Sequence, residues 1–292
     1  MEEIILKKLS PYNGSTIVLV TKHAKSHAIA PSFKDKLNAH VSEFVIDTDQ
    51  LGTFSGEIER NGTALDCARA KCEKAIEIMG ENVEFLLASE GSFGPHPMIP
   101  FIPCDYEILY FIDRKRDFHL SVSLLSETTN YKIKEIKSLK ELQSFAKKSQ
   151  FPSHALIIRS ESKVYTGKII KGINTLQNLK KAFNELSKLH PEGKVWVETD
   201  MRACFNPSRM NVISLLTEKL TKRLAVLCPH CDTPGWGKVR IENGLNCCWC
   251  NLETELAKFE VFGCTRCNYE KFELPSHGFK KADPSNCSYC NP

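Results

Sequence analysis

The alternation of apolar and polar positions along residues 1–225 predicts strands that alternate with helices. The apolar run Thr16–Val20 follows the turn Pro11-Tyr-Asn-Gly and predicts a buried strand. From Thr63 to Met79 apolar residues recur every three or four positions, and Gly80 follows them, which predicts a helix. The other predicted elements are strands at 41–46, 83–88, 107–112, 118–125, 155–159 and 195–198, a helix that ends near residue 39, and helices at 138–148, 176–189 and 212–224, with Ser138 as the N-cap of the first of these three. Together they predict an α/β fold, a mixed sheet flanked by helices.

Cysteines dominate the last 65 residues of the chain. They form four Cys-x-x-Cys pairs, which are Cys228/Cys231, Cys247/Cys250, Cys264/Cys267 and Cys287/Cys290. Two residues between the thiols let both sulfurs bind one ion at a distance of about 2.3 Å. Such a Cys-x-x-Cys turn is called a knuckle, and two knuckles complete a four-cysteine site. The spacing therefore predicts two structural Zn²⁺ sites in a small module after the α/β domain.

The spacing permits two ways of pairing the knuckles. Sequential pairing closes each site within one local ribbon, and interleaved pairing forms a cross-brace. Residues 228–250 read as a knuckle, a short strand at 238–241, a turn and a second knuckle, an order that closes locally. It favours sequential ribbons. Cys248 stands beside Cys247 and could replace it as a ligand. The cysteines outside the cluster are expected to be buried thiols, and they are Cys67, Cys72, Cys104 and Cys204.

The N-terminal sequence and the overall hydropathy favour a cytoplasmic location. The chain opens MEEIILKKLS, with two acids where a signal peptide has basic residues and no long apolar run behind them. A reducing compartment favours metal binding over disulfides. Redox chemistry is the less favoured interpretation, because a redox Cys-x-x-Cys normally occurs once, near a βαβ unit. With no run of about 18 apolar residues, no membrane span is expected.

Size and charge limit the possible partners. At 292 residues and 42% hydrophobic, the chain is long enough for one sizeable core plus a zinc module, so two domains are expected, 1–225 and 226–292. With eight thiolates and two Zn²⁺ counted, the formal charge of the chain falls from +4 to about zero and that of the module to about −5. Nucleic-acid binding is therefore not favoured, although Trp236 or Trp249 could stack on a single strand.

Polar groups that could carry chemistry gather at predicted strand ends, where open α/β sheets bind ligands. The first cluster follows strand 16–20 and comprises Thr21, Lys22, His23 and Lys25. A hydroxyl and two ammonium groups suit a phosphate. An ordinary solvated loop is the alternative interpretation.

The second cluster is acidic and comprises Glu57, Glu59 and Glu90. Glu90 is expected to follow strand 83–88 and to precede a Gly-Ser-Phe-Gly turn, which places its carboxylate at the mouth of the sheet. Carboxylates in that position suit Mg²⁺, which bridges phosphates, and a spare carboxylate can position water. A glutamate that caps a turn is the alternative.

The third cluster follows the strand at 195–198 and comprises Glu198, Asp200, Arg202, Asn206 and Arg209. The two guanidinium groups are suited to a bidentate grip on phosphate or carboxylate. A structural network of ion pairs would have the same residue types.

The chain resembles a bacterial family of unknown function over nearly its whole length. The motifs that carry the resemblance are Pro11-Tyr, Thr21-Lys-His, Asp47-Thr-Asp, Gly52-Thr-Phe-Ser-Gly, Ala88-Ser-Glu-Gly-Ser-Phe-Gly-Pro-His-Pro, Glu198-Thr-Asp-Met-Arg-Ala, Asn206-Pro, Arg209-Met and the closing Cys-x-x-Cys pairs. This resemblance implies an α/β domain with a double zinc ribbon and no particular reaction.

A weaker resemblance over residues 16–224 does suggest a reaction. In order and spacing this segment is similar to the inosine/xanthosine triphosphatase and Maf-like pyrophosphatase fold, whose first loop has the form Thr-x-Asn-x-x-Lys. Here that loop reads Thr21-Lys-His-Ala-Lys25, so His23 replaces the asparagine, and the paired acids of the family are reduced to Glu90. The other matching segments are Glu57-Ile-Glu59 and Asn206-Pro-Ser-Arg209.

The resemblance implies Mg²⁺-dependent hydrolysis of a nucleoside triphosphate. Glu57, Glu59 and Glu90 would hold the ion, and cationic groups would neutralise the developing charge. Those cations are Lys22, Lys25 and Arg209, with Thr21, Arg202 and Asn206 as further phosphate or substrate ligands. Two alternatives are a non-catalytic regulator that binds a nucleotide or nucleic acid, and a zinc-stapled module for protein interaction.

Overall fold

The computed structural model describes residues 9–47, 60, 62–161, 167–276 and 278–292. Its strands are β1 (Thr16–Val20), β2 (His40–Phe44), β3 (Phe85–Pro95), β4 (Pro103–Asp113), β5 (Phe118–Ser126), β6 (Ile133–Ile136), β7 (Leu156–Arg159), β8 (Ile169–Ile173), β9 (Val195–Thr199), β10 (Gly237–Asn243), β11 (Ala257–Gly263) and β12 (Glu270–Glu273). Its α-helices are α1 (Ser26–Leu37), α2 (Ala64–Met79), α3 (Leu139–Lys148), α4 (Leu176–Leu186) and α5 (Pro207–Leu224). The predicted combination of a mixed sheet with helices is confirmed.

The mixed sheet has the strand order β2-β1-β3-β4-β5. Strand β1 pairs in parallel with β2 and β3, and β3 pairs antiparallel with β4. One face carries Leu86 and Ala88 and packs against the small side chains of α2. On the opposite face Phe111 meets Tyr12 and, from α1, Phe33. Helices α1 and α2 therefore cover opposite faces, because alternate residues of a strand point to opposite sides.

A second sheet was not expected from the sequence. It is antiparallel, with the order β6-β9-β7-β8. Helices α3 and α4 cover one face around a core that includes Leu142, Leu156, Leu179 and Val197. Strand β6 reads Ile-Lys-Glu-Ile and has only four residues, so its strand character depends on pairing with the distant β9.

Two element boundaries differ from the prediction for reasons visible in the hydrogen bonds. Helix α5 begins at Pro207 and not at residue 212, because Asn206 Oδ1 accepts from Arg209 N at 3.0 Å and acts as an N-cap. Strand β3 continues to Pro95, because residues 91–95 pair with β4. The predicted turn at 91–94 is therefore wrong, and Glu90 lies inside a strand.

The described chain divides into two compact units. One comprises Met1–Lys115 and Ser121–Thr221, and the other comprises Arg116–Leu120 and Lys222–Pro292. The predicted domain boundary at residue 225 stays a prediction. No helix among the described residues has the length and apolar character needed to cross a membrane. Of the cysteines outside the cluster, Cys204 is exposed, contrary to expectation, and the other three are buried.

Candidate functional site

The β10–β11 hairpin of the second unit decides how the knuckles pair. Gly237 at the start of β10 lies opposite Gly263 at the end of β11. The knuckle 228–231 precedes that end of the hairpin and the knuckle 264–267 follows it directly, so the two knuckles meet there. The four-cysteine clusters are accordingly Cys228, Cys231, Cys264 and Cys267, and Cys247, Cys250, Cys287 and Cys290. Pairing is interleaved, and the favoured sequential pairing is wrong.

Each cluster has the geometry of a zinc site. The Sγ–Sγ distances are 3.8 and 3.6 Å in the first cluster and 3.9 and 3.5 Å in the second. A tetrahedral ion with Zn–S bonds of about 2.3 Å requires sulfurs about 3.8 Å apart. Cys247 belongs to its cluster, whereas Cys248 is exposed and lies outside it. Each cluster could therefore hold one Zn²⁺.

Hydrogen bonds within the knuckles lower the pKa of one cysteine in each cluster, whereas burial and the neighbouring thiols raise the pKa of Cys267 and Cys290. His230 N donates to Cys228 Sγ, and Trp249 N donates to Cys247 Sγ, both at 3.4 Å. The hydrogen bond with Thr233 lowers the pKa of Cys231 to about 6. Backbone hydrogen bonds, chiefly at Cys250, lower the pKa of Cys247 to about 7. Thiolate is the form that binds metal.

In the first unit, the first predicted cluster is only partly brought together. Lys25 is 3% exposed, and its Nζ donates to the backbone O and the Oγ of Ser89, both at 3.1 Å. Burial, with the nearby Arg209, lowers the pKa of Lys25 to about 7. Thr21 is also buried, whereas Lys22 lies at the surface and pairs with Asp47 at 3.3 Å.

His23 lies close to the same positive charges. Burial, and then repulsion by Lys25, lower the pKa of His23 to about 4. The imidazole is therefore neutral at physiological pH. A neutral ring in this position can accept or donate a hydrogen bond without adding charge.

Glu90, the predicted catalytic acid, is held by two cations. Its carboxylate pairs with Lys71 of α2 and, at 3.4 Å, with Arg60. Burial opposes ionisation of Glu90, but the charges of Lys71, Lys25 and Arg60 together outweigh it, so the pKa of Glu90 is lowered. Arg60 also donates to Ser92 Oγ at 2.6 Å. The predicted partners Glu57 and Glu59 lie outside the described residues.

On the other face of the sheet, Arg209 meets a carboxylate that the sequence analysis did not select. Arg209 Nε donates to Glu107 Oε1 at 2.5 Å, and Nη1 donates to Met201 O at 2.6 Å. The guanidinium carbon lies 5.0 Å from the centre of the Phe93 ring. Gly91 lies opposite Glu107 in the sheet, and a Cβ on Gly91 would come within 2.5 Å of both charged groups.

Next to this pair lies Asp105, which is 1% exposed. Within the described part of the chain, neither oxygen of Asp105 has a hydrogen-bond partner, and the same holds for Glu107 Oε2. Burial, and then the charge of Glu107, raise the pKa of Asp105 to about 8. Perturbed ionisable groups of this kind concentrate at functional sites.

The other residues of the third predicted cluster form hydrogen bonds and ion pairs within the protein, and their predicted role in ligand binding stays a prediction. Arg202 donates to both oxygens of Asp200, at 3.0 Å from Nε and 2.6 Å from Nη2. Asn206 caps α5, and its amide nitrogen donates to Asn130 Oδ1 at 2.8 Å. Glu198 pairs with Arg159 at 3.4 Å, and burial raises the pKa of Glu198 to about 7. Arg209 contacts the mixed sheet through Glu107 and Phe93.

The structure thus gathers charged and polar side chains on both faces of β3 and β4, and the sequence indicated only some of them. They are Lys25, Arg60, Lys71, Ser89, Glu90, Asp105, Glu107 and Arg209, called here the charge cluster. Two signals could have revealed the missing residues. Asp105 and Glu107 are acids two positions apart in a largely apolar strand. Lys71 interrupts the apolar stripe of α2.

Comparison with known families adds a classification. A family model described as a domain of unknown function, DUF6671, matches residues 71–292, which is 222 of the 292 residues. The chain belongs to this family. The match includes Glu90, Asp105, Glu107 and Arg209 and all eight clustered cysteines, whereas Lys25 precedes it. No curated protein matches the chain. The DUF6671 description names no activity.

Proposed function

We propose that the first unit is a Mg²⁺-dependent nucleoside triphosphate phosphohydrolase or pyrophosphatase and that the zinc unit is a structural appendage. The observation that carries this proposal is the charge cluster, in which Lys25, Arg60, Lys71 and Arg209 converge from four separate segments. The resemblance of residues 16–224 to nucleoside triphosphate pyrophosphatases supports the same reaction class.

The cations are suited to a ligand with several negative charges. Burial lowers the pKa of Lys25, Arg209 and Lys71 lower it further, and Glu107 and Glu90 oppose them. With four cationic groups and three carboxyl groups, the charge cluster keeps an excess of positive charge. A phosphate chain would offset that excess and accept hydrogen bonds from ammonium and guanidinium groups. The same groups would neutralise charge that develops on the phosphates during hydrolysis.

The carboxylates give the site its acid and base groups. The lowered pKa of Glu90 keeps its side chain ionised, and carboxylate oxygens are ligands that Mg²⁺ prefers. Glu90, with Glu57 and Glu59, would hold the ion, and the chemistry that it would supply is neutralisation of phosphate charge. In the structure Lys71 and Arg60 form ion pairs with the Glu90 carboxylate. The phosphates of a ligand would compete for these two cations and free the carboxylate to bind the ion.

The test is release of phosphate and pyrophosphate from purine and pyrimidine nucleoside triphosphates by the zinc-loaded protein with Mg²⁺. Glu90→Gln should lower kcat by about 10²- to 10⁴-fold, the range for loss of an acid or base group. Glu84→Gln is the matched control, because Glu84 is 53% exposed just before the same strand. Full activity of Glu90→Gln would remove Glu90 from the mechanism.

A binding measurement separates catalysis from recognition. Lys25→Met replaces a buried ammonium group with an apolar side chain of similar length, so the fold should persist while nucleotide affinity falls. Nucleotide binding that depends on Lys25 without turnover on any substrate would favour the non-catalytic regulator. If the protein neither binds nor hydrolyses any nucleotide, a nucleotide function for this unit is contradicted.

A further inference from the structure

Asp105 and Glu107 form a buried carboxyl pair on one face of β4. They are two residues apart, so both point to the same side of the strand. Asp105 is 1% exposed and Glu107 is not exposed at all. Two adjacent buried carboxylates cannot both stay ionised unless each has compensating partners.

The partners in the structure compensate one charge and not two. Arg209 from α5 binds Glu107 Oε1. Lys25, which precedes α1, directs its ammonium group to Ser89. Glu107 Oε2 and both oxygens of Asp105 have no partner among the described residues. A proton on Asp105 would supply the missing hydrogen bond, since neutral Asp105 can donate to Glu107.

We propose that Asp105 and Glu107 hold one proton between them at neutral pH and that the charge cluster therefore binds a phosphate-chain anion together with protons. The identity of the anion rests on the proposed function, whereas the shared proton does not. With that proton and a charged Lys25, the four groups Lys25, Asp105, Glu107 and Arg209 sum to one positive charge. Without either proton they sum to one negative charge, which would repel an anion.

The direction of the pH dependence follows from the two shifted groups. Burial and Glu107 raise the pKa of Asp105 to about 8, and burial and Arg209 lower the pKa of Lys25 to about 7. Both groups lose a proton between about pH 6 and pH 9, so anion affinity should fall as pH rises through that window. A bound anion favours the protonated form of both groups, so binding should take up protons.

Folding stability should depend on the same carboxyl pair. The pKa of Asp105 is raised from an ordinary 3.8 to about 8, so the folded state retains a proton that the unfolded chain releases. Stability contributed by this proton is complete below about pH 4 and is lost as pH rises towards about 8. Asp105→Asn is isosteric and permanently neutral, so it should lack that loss.

The first measurement uses the unliganded protein. Difference infrared spectroscopy between pH 6 and pH 9 should detect the C=O stretch of a protonated carboxyl group that disappears as pH rises. Asp105→Asn should lack this band, and Asp35→Asn, at an exposed position of α1, should retain it. Absence of the band in the wild-type protein at pH 6 would overturn the shared proton, whatever the variants do.

The second measurement uses inorganic tripolyphosphate as the probe. Calorimetry in buffers of different ionisation enthalpy should show proton uptake on binding and an affinity that falls by ten- to a hundred-fold from pH 6 to pH 9. Asp105→Asn should lower the uptake by up to about half a proton at pH 8, where Asp105 of the free protein is already about half protonated. A titrating carboxyl band without tripolyphosphate or nucleotide binding would refute the coupling and the proposed function but leave the shared proton. Binding without proton uptake would refute the coupling alone.

Discussion

The two units keep their polar groups in place in different ways. In the zinc unit most of β10 is exposed, and large side chains such as Trp249 and Tyr289 are 77% and 72% exposed. The second unit has little apolar core, so Zn²⁺ bound at the two four-cysteine clusters is expected to supply much of its folding stability. The α/β unit instead encloses its charges beside an apolar sheet, and each charge depends on a partner from a distant segment. The second unit should therefore unfold when its metal is removed. The first unit should lose stability when a buried charge loses its ion-pair partner.

The largest effect is expected from zinc. Binding at a structural four-cysteine site is worth roughly 10–16 kcal/mol at neutral pH, so a strong chelator should unfold the second unit of the full chain. Hydrogen exchange should detect this as loss of protection in 226–292 while the β3–β4 amides stay protected. Equal protection of 226–292 with and without metal would contradict a zinc-dependent fold.

Paired substitutions test the interleaved arrangement directly. Cys228→Ser with Cys267→Ser removes two ligands of one cluster, so one Zn²⁺ per chain should remain. Cys228→Ser with Cys250→Ser damages both clusters, so bound zinc should fall towards zero. Sequential pairing gives the reverse order of zinc content, and Cys248→Ser should leave it unchanged.

In the α/β unit the largest effect is expected from Arg209→Met. The substitution leaves Glu107 buried without its cation, which typically costs about 3–5 kcal/mol. Urea unfolding of the zinc-loaded protein should measure this loss, and adding Glu107→Gln should recover part of it. Lys22→Met is the control, because its ion pair with Asp47 is exposed and worth at most about 1 kcal/mol. Equal losses in both variants would mean that burial of the Arg209 pair does not matter.

Gly91 tests how tightly the charge cluster is packed. A Cβ at this position would lie 2.5 Å from Arg209 Nη2 and from Glu107 Oε1, so the ion pair or the strand must shift. Gly91→Ala should destabilise the first unit by about 1–3 kcal/mol, as overpacking usually does. Gly94→Ala lies on the same strand with nothing within 4 Å of its Cβ and should be neutral or slightly stabilising. Matched stability of the two variants would contradict the packing argument.

The difference between the units also explains what the sequence could predict. Cysteine spacing and the helix at 63–79 are local signals, and both led to correct elements. The pairing of the knuckles depends on the β10–β11 hairpin, and the spacing of the cysteines does not reveal the register of that hairpin. In the same way β3 extends to Pro95 only because β4 pairs with it, and that pairing brings Gly91 opposite Glu107. Glu90 was predicted in an acidic cluster with Glu57 and Glu59, whereas the partners seen in the structure are cations from other segments, Lys71 and Arg60.

The smallest effect is expected at a purely local feature, the N-terminus of α2. Thr63 Oγ1 accepts from Asp66 N at 3.2 Å, and Asp66 Oδ2 accepts from Thr63 N at 2.9 Å, which forms a capping box. Thr63→Ala should cost about 1 kcal/mol in urea unfolding, and Thr63→Ser should retain most of the stability. Because α2 also positions Lys71 against Glu90, the comparison has a second readout. Nucleotide affinity should stay unchanged in Thr63→Ala if the cap acts locally, whereas a parallel loss of affinity would mean that the charge cluster depends on the end of the helix as well as on its own ion pairs.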